Sequence, residues 1–364
     1  MSELFEKCRL GSLELENRFV RSATWEGMAP DNGEVTGKLV EMYRVLAKGG
    51  VGLIITGSAF VDPRGRCLPG HLGIDNDGLM PGLRTVADAV HEEGGTVVVQ
   101  ITHGGTQTLV DTGMPPEAPS AVQDRLSGNV PVEMTRDDIQ RVVNAFADAA
   151  QRTKACGFDG VQFLAAHGYL LSEFLSPYTN VRTDEYGGPI ENRARIVLEV
   201  YDAIRERVGT EYPVLVKINV SDFDDGGLEA DDSLWVCERL AERGIDAIEF
   251  SGGVNASGEM GPIRADIDSP EKEAYFKEYA QRFTPRLTCP VILVGGIRSL
   301  DVAEKLLREG TAQFISMCRP FISEPDLINR WASGDTEPAR CTSCSQCVFA
   351  GLREGGVYCV PFEG

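Results

Sequence analysis

The sequence predicts an α/β chain that closes into a (β/α)8 TIM barrel over residues 1–335 and continues into a short cysteine-rich extension, residues 336–364. Three observations carry this expectation. Eight short β-branched or apolar runs recur along the chain, most of them continuously apolar, as parallel strands buried on both faces read. Helical patterns alternate with them, which demands right-handed crossovers and a parallel sheet. The first run is followed by Arg21-Ser22-Ala23-Thr24-Trp25 and not by the glycine-rich phosphate loop that an open, doubly wound sheet carries there.

The runs span 18–23, 52–56, 96–101, 160–163, 214–219, 247–251, 291–294 and 313–316. One helix is expected after Thr36, through Leu39, Met42, Tyr43 and Leu46 to Gly49-Gly50. A second has Thr135 as N-cap, an apolar face of Ile139, Val142, Val143, Phe146 and Ala150, and Gly157 as C-cap. A third runs through Ile190, Ala194, Val197, Tyr201 and Val208. Segments 106–131 and 172–189 exceed ordinary loop lengths and are expected to wall an active site.

Of 364 residues, 42% are hydrophobic, which fills a sizeable core and excludes a disordered chain. No apolar run is long enough for a spanning helix. The first residues, Met1-Ser2-Glu3-Leu4-Phe5-Glu6-Lys7, lack the basic start and apolar stretch of a signal peptide, so a cytoplasmic protein is expected. Fifty-five acidic residues against 35 basic ones give a net charge of −20, a field that repels nucleic acid and anionic membranes alike. A homo-oligomer stays open. Six of the ten cysteines are scattered and four fall in the last 24 residues, a distribution that suits reduced thiols or metal ligation better than a disulfide scaffold.

In a barrel of this kind the chemistry sits at the C-terminal ends of the strands. In strand order these positions hold Ser22, Ala23, Thr24 and Trp25; Ser58; Gln100 and His103; His167 and Tyr169; Lys217 and Asn219; Ser251; Gly295-Gly296; and Cys318-Arg319. After strands 7 and 8, Gly295-Gly296 lets backbone N–H groups face an anion and Arg319 adds a fixed cation, the usual phosphate site of the fold. The plainer alternative is a tight turn and a surface charge.

Longer motifs carry a resemblance. Ala166-His167-Gly168-Tyr169-Leu170-Leu171, Phe174-Leu175-Ser176-Pro177, Arg182-Thr183-Asp184-Glu185-Tyr186-Gly187-Gly188 and Ile190-Glu191-Asn192-Arg193-Ala194-Arg195 follow one another in order. Supporting blocks are Gln100-Ile101-Thr102-His103-Gly104-Gly105 and Phe321-Ile322-Ser323-Glu324-Pro325-Asp326-Leu327. Together they resemble the old yellow enzyme family of FMN-dependent ene reductases over roughly residues 3–335.

The resemblance implies FMN across the barrel mouth, its phosphate on Gly295, Gly296 and Arg319. It sets Gln100 at the pyrimidine edge and Lys217 near N1 and the C2 carbonyl, where a cation stabilises the reduced flavin. It also brings Ser22, Ala23 and Thr24 near N5 and O4, and Ser58 under the ring. Tyr169 corresponds to the proton donor to the substrate α-carbon, and His167 to one member of a pair that binds the substrate oxygen. Leu164 stands where the family commonly has the other member. For Lys217 the alternative is a strand lysine paired with an interior carboxylate. For His167 it is a helix-start histidine satisfied by backbone, and for Trp25 a plain core tryptophan.

Cys341, Cys344, Cys347 and Cys359 form a C-x2-C-x2-C-x11-C array. Such thiolates wrap a 4Fe-4S cluster or a zinc ion. The array resembles that of the larger relatives, the 2,4-dienoyl-CoA reductase and trimethylamine dehydrogenase branch, with one residue fewer between the second and third cysteines. Those relatives continue into nucleotide-binding domains, whereas this sequence ends at Gly364, which leaves a retained tail with free or zinc-binding thiols as the plainer expectation.

The expected function is hydride transfer from NAD(P)H through flavin to the activated C=C bond of a small electrophilic alkene. The alternatives are an amine or dienoyl-thioester oxidoreductase using an iron–sulfur cluster, a flavin-free phosphate-binding aldolase-like barrel with Lys217 as Schiff base, and a binding-only flavoprotein.

Overall fold

A strand buried on both faces needs a partner on each side, and all eight find one. In this computed structural model, which describes residues 2–362, the strands are β1 (Phe19–Arg21), β2 (Leu53–Phe60), β3 (Val97–Thr102), β4 (Gly160–Ala165), β5 (Val214–Asn219), β6 (Ala247–Ser251), β7 (Val291–Leu293) and β8 (Phe314–Met317). Met1, Glu363 and Gly364, which belong to the two predicted regions, lie outside the described residues. Each strand pairs in parallel with the next, and Ile315 of β8 pairs with Phe19 of β1, which closes the barrel. The run expected at 52–56 continues to Phe60, because a register shift between Ile55 and Ser58 lets β2 bulge and keep pairing with β3.

The barrel floor is plugged by an N-terminal hairpin, Cys8–Leu10 with Leu13–Leu15. Its Leu10 and Leu15 pack against Val20, Leu53, Val98, Leu215, Ile292 and Phe314 from the strands. A larger apolar layer lies between the strands and the surrounding helices. These are α1 (Gly37–Lys48), α2 (Met80–Glu92), α3 (Arg136–Ala155), α4 (Arg195–Val208), α5 (Ala230–Glu242), α6 (Lys277–Phe283) and α7 (Leu300–Arg308). Thr36 caps α1 by accepting the Leu39 N–H, and Thr135 forms a capping box with Asp138 at the start of α3. Gly157 takes φ +89° one residue beyond the Cys156 cap. The third expected helix is divided at Ala194 into Ile190–Arg193 and α4.

After β8 come two short helices, Arg319–Ser323 and Leu327–Ala332, and then the cysteine tail. The Ala339 N–H donates to Arg298 O, a helix spans Gln346–Glu354, and the Val357 N–H donates to Glu26 O. The tail therefore crosses the C-terminal mouth of the barrel, from the β7 loop to the β1 loop. No helix among the described residues is long and apolar enough to cross a membrane.

Candidate active site

A cavity of about 320 Å³ opens at that mouth, within the size range of small-molecule sites. Ala23, Thr24, Ser58, Gln100, His167, Tyr169, Lys217, Gly296 and Arg319 all line it. Ser22 lies just beneath, under Lys217, and Gly295 backs Gly296. His103 points elsewhere: its Nε2 is 3.3 Å from Glu117 Oε1, in a cluster with Asp62. Arg141 pairs with both of these carboxylates and Arg64 with Glu117, so arginines already meet their charge. Burial pushes Glu117 up, but His103 and Arg141 outweigh it and hold the carboxyl at about 2.

The floor of the cavity is a buried polar network centred on Glu249. Its Oε1 accepts from Ser22 Oγ (2.5 Å) and Ser316 Oγ (2.9 Å) and lies 3.4 Å from Lys217 Nζ. Its Oε2 accepts from Gln162 Nε2 (2.9 Å), and Gln162 Oε1 accepts from Gln100 Nε2 (2.7 Å). Lys217 Nζ also donates to Ser22 Oγ at 2.7 Å. The lysine is thus both a cavity wall and the partner of an interior carboxylate. Tied to Ser22 and Glu249, it does not stand free as a Schiff-base amine does. Sequence reasoning missed Glu249, Gln162 and Ser316; the available signal was one carboxylate in an otherwise apolar strand next to the strand that holds Lys217.

His167 and Tyr169 hang over this floor. The strand ends at Ala165, and after Ala166 both His167 (φ +65°) and Gly168 (φ +76°) take left-handed conformations, which turns the chain sharply into the helix Leu170–Leu175. A left-handed non-glycine residue is uncommon and clusters at functional sites. The His167 N–H donates to Asn219 Oδ1 (3.1 Å), and Nε2 sits 2.7 Å from Ser251 Oγ. The histidine is therefore held by side chains of β5 and β6, not by backbone alone. Burial, reinforced by the Lys217 charge, lowers His167 to about 3, so its ring is neutral. Burial, with a smaller contribution from Cys67, pushes the Tyr169 hydroxyl well above its ordinary value and keeps it protonated. Leu164 lines the cavity beside them and offers no donor.

Trp25, half-buried against the edge of the main core, also lines the cavity. Its Nε1 donates to Pro69 O (3.1 Å), and a Cβ on Gly351 would lie 2.8 Å from its ring, so the tail packs on it only because residue 351 is glycine.

At the other end, Gly295 (φ +142°) and Gly296 (φ +70°) have N–H groups without an acceptor among the described residues. A Cβ on Gly296 would lie 2.8 Å from the Tyr275 ring. Arg319 has no carboxylate partner among the described residues; its Nη1 donates to Ser343 O and Ser345 Oγ. Unpaired N–H groups, a glycine cradle and an uncompensated guanidinium fit a phosphate, and with the cavity beside them they fit FMN.

The tail brings its thiols to this end. Cys341 and Cys347 line the cavity. Burial and the charge of Cys341 raise Cys347, and burial, then Cys341, pushes Cys359 up to about 11. The Ser343 N–H points at Cys341 Sγ, 3.4 Å away. Both raised thiols feel Cys341 and a backbone N–H is aimed at one sulfur, but no three of the four sulfurs lie within 4.8 Å of one another, so the thiols do not form a closed metal site among the described residues.

Residues 3–337 match the model of the NADH:flavin oxidoreductase / NADH oxidase family. A metal reductase of Desulforamulus reducens is 39% identical over 363 residues, covering 99% of this chain and 53% of that protein. The solved structure of a 2-naphthoyl-CoA reductase with 2-naphthoyl-CoA superposes with a TM-score of 0.86 at 28% identity, over 93% of this chain and 53% of the other. That of an old yellow enzyme homologue from Zymomonas mobilis does so with 0.76 at 27%, over 91% and 92%. The chain thus spans about half the length of the first two. Fold, motif order and the match over nearly the whole barrel agree: the chain belongs to the NADH:flavin oxidoreductase / NADH oxidase family, the old yellow enzyme group of FMN-binding barrels.

Proposed function

We propose that this chain reduces an activated C=C bond with electrons from NAD(P)H, Tyr169 supplying the proton to the α-carbon. The observation that carries this reading is the left-handed His167-Gly168 turn, which holds His167 and Tyr169 together over the cavity floor. FMN, when bound, supplies the hydride relay between nicotinamide and substrate. The protein's own share is fourfold. Tyr169 holds a proton at Oη, where a protonated phenol suits general-acid work on a carbanion-like carbon. His167, neutral, hydrogen-bonds the activating oxygen. Lys217 sets positive charge beneath the ring end that gains negative charge on reduction. Gly295, Gly296 and Arg319 take the phosphate, Gln100 the pyrimidine edge, Ser22, Ala23 and Thr24 the N5 and O4 side, and Ser58 the underside of the ring.

Leu164 leaves one donor on the substrate oxygen, which favours substrates that bring their own activation. A conjugated thioester is such a substrate, and the naphthoyl-CoA neighbour acts on one class of them. Cys341 and Cys347 in the cavity wall, with Cys344 and Cys359 in the same tail, favour a second reading within the same chemistry: a thioester or amine oxidoreductase with a 4Fe-4S cluster, or a zinc ion, on these four cysteines.

An anaerobic absorption spectrum with metal analysis, followed by NAD(P)H oxidation with and without an alkene, tests both readings. A flavin band and alkene-dependent turnover are expected. A colourless protein sinks the proposal, and a yellow one that never turns over points to binding alone. Iron with acid-labile sulfide supports the cluster; zinc or bare thiols rule it out.

A further inference from the structure

The arginine that faces the phosphate end of the cavity is also the arginine that holds the tail. Arg319 Nη1 donates to Ser343 O (3.2 Å) and Ser345 Oγ (3.0 Å), while its Nε and Nη2 make no hydrogen bond among the described residues. A guanidinium is a rigid fork of five donors, so one corner can serve the tail while another edge serves an anion. Ser343 (φ +57°) and Ser345 (φ +59°) are both left-handed, a conformation that non-glycine residues keep only where their surroundings impose it. Arg298 repeats the arrangement one step earlier. Its Nη2 donates to Ala339 O (3.0 Å), its own carbonyl accepts the Ala339 N–H (2.8 Å), and it lines the cavity beside Gly296. Arg330 and Trp331 hold Glu337 and Pro338, and Glu324 accepts the Arg340 N–H; over the cavity itself the tail is tied at Ala339, Ser343 and Ser345 to Arg298 and Arg319, neither of which is paired with a carboxylate among the described residues.

We infer that the Ser343–Ser345 turn is a positioning element for Arg319, so that closure of the tail and occupancy of the phosphate site reinforce each other. With the tail undocked, Arg319 is a long free side chain whose rotamers must be frozen when a phosphate arrives. With the tail docked, that ordering is already done. Linkage makes the effect reciprocal: whatever the closed tail adds to phosphate-ligand affinity, the bound ligand returns as tail closure. The inference rests on the proposed placement of the FMN phosphate at Arg319.

Cys359 reads out the test. It belongs to the tail, is half-buried and does not line the cavity, so a ligand does not cover it directly. The full chain, stripped of flavin and metal and reduced, is treated with a thiol reagent in the presence of saturating FMN, saturating riboflavin or neither, and Cys359 labelling is followed by peptide mass. FMN is expected to slow labelling by roughly 5–150-fold, the usual range of coupling between sites. Riboflavin, which has the ring and lacks the phosphate, is expected to leave it unchanged. Equal protection by both, or by neither, overturns the inference. FMN affinity of Arg319→Ala separates the two levels: unchanged affinity removes the phosphate from Arg319 and takes the site reading with it. Weakened affinity with Cys359 indifferent to FMN in the parent chain removes the coupling alone.

Discussion

Lys217 on β5 and Glu249 on β6 stand opposite each other in register, Nζ 3.4 Å from Oε1, with the Ser22 hydroxyl bonded to both. Both side chains are almost fully buried. Removing one partner of a buried pair leaves an uncompensated charge, at a cost of roughly 3–5 kcal/mol. Lys217→Met should therefore destabilise the chain by about that much, and Lys217→Met with Glu249→Leu should recover most of the loss. Urea unfolding of the three proteins checks this. A single variant as stable as the parent would show that the pair contributes nothing.

Tyr169→Phe removes the proton while keeping the ring. Oxidation of the reduced enzyme by an electron-poor alkene should slow by roughly 10²–10⁴-fold, and reduction by NAD(P)H should stay nearly intact. Stopped-flow measurement of the two half-reactions decides; equal slowing of both would assign Tyr169 to binding and not to proton transfer.

In the proposed reading, Leu164 leaves His167 as the one donor to the substrate oxygen. A lost oxyanion donor typically costs roughly 2.7–4 kcal/mol, so Leu164→His should raise kcat for a simple cyclic enone without tightening FMN. A folded, flavin-loaded variant with no gain would mean that the carbonyl does not lie over this pair.

Glu173 is buried behind Tyr169, where its carboxyl accepts the Thr106 N–H. Burial, opposed by the Thr106 hydrogen bonds, raises it to about 8. The folded chain thus keeps a proton that the unfolded chain has released above the ordinary carboxylate value of 4.5. Its contribution is fully present below pH 4.5 and is lost as pH rises through about 8. Glu173→Gln keeps the acceptor and cannot ionise. The variant should match the parent near pH 4.5 and exceed it increasingly toward pH 8, by up to roughly 1.4 kcal/mol per pH unit. Thermal unfolding across that range checks the sign, and parallel pH profiles would show that Glu173 ionises normally.

Much of this was legible in order along the chain. Alternating apolar runs and capped helices marked the barrel, and the strand-end rule picked His167, Tyr169, Lys217 and Arg319, all of which face one cavity. The rule misplaced His103, which an arginine and carboxylate cluster draws away from the cavity. Trp25, set at the rim by the same rule with core packing as its alternative, does both: it walls the cavity under the tail and packs on the edge of the core.

The sequence by itself determined the fold and the chemical types at the barrel mouth, because periodicity and motif are properties of neighbours in the chain. Only the tertiary structure decided that Glu249 pairs with Lys217, that Gln162 links Gln100 to it, and that the tail returns across the mouth to accept from Arg319. Those pairings depend on strand register and barrel closure, which bring together groups tens to hundreds of residues apart, and no local pattern encodes a register between distant strands.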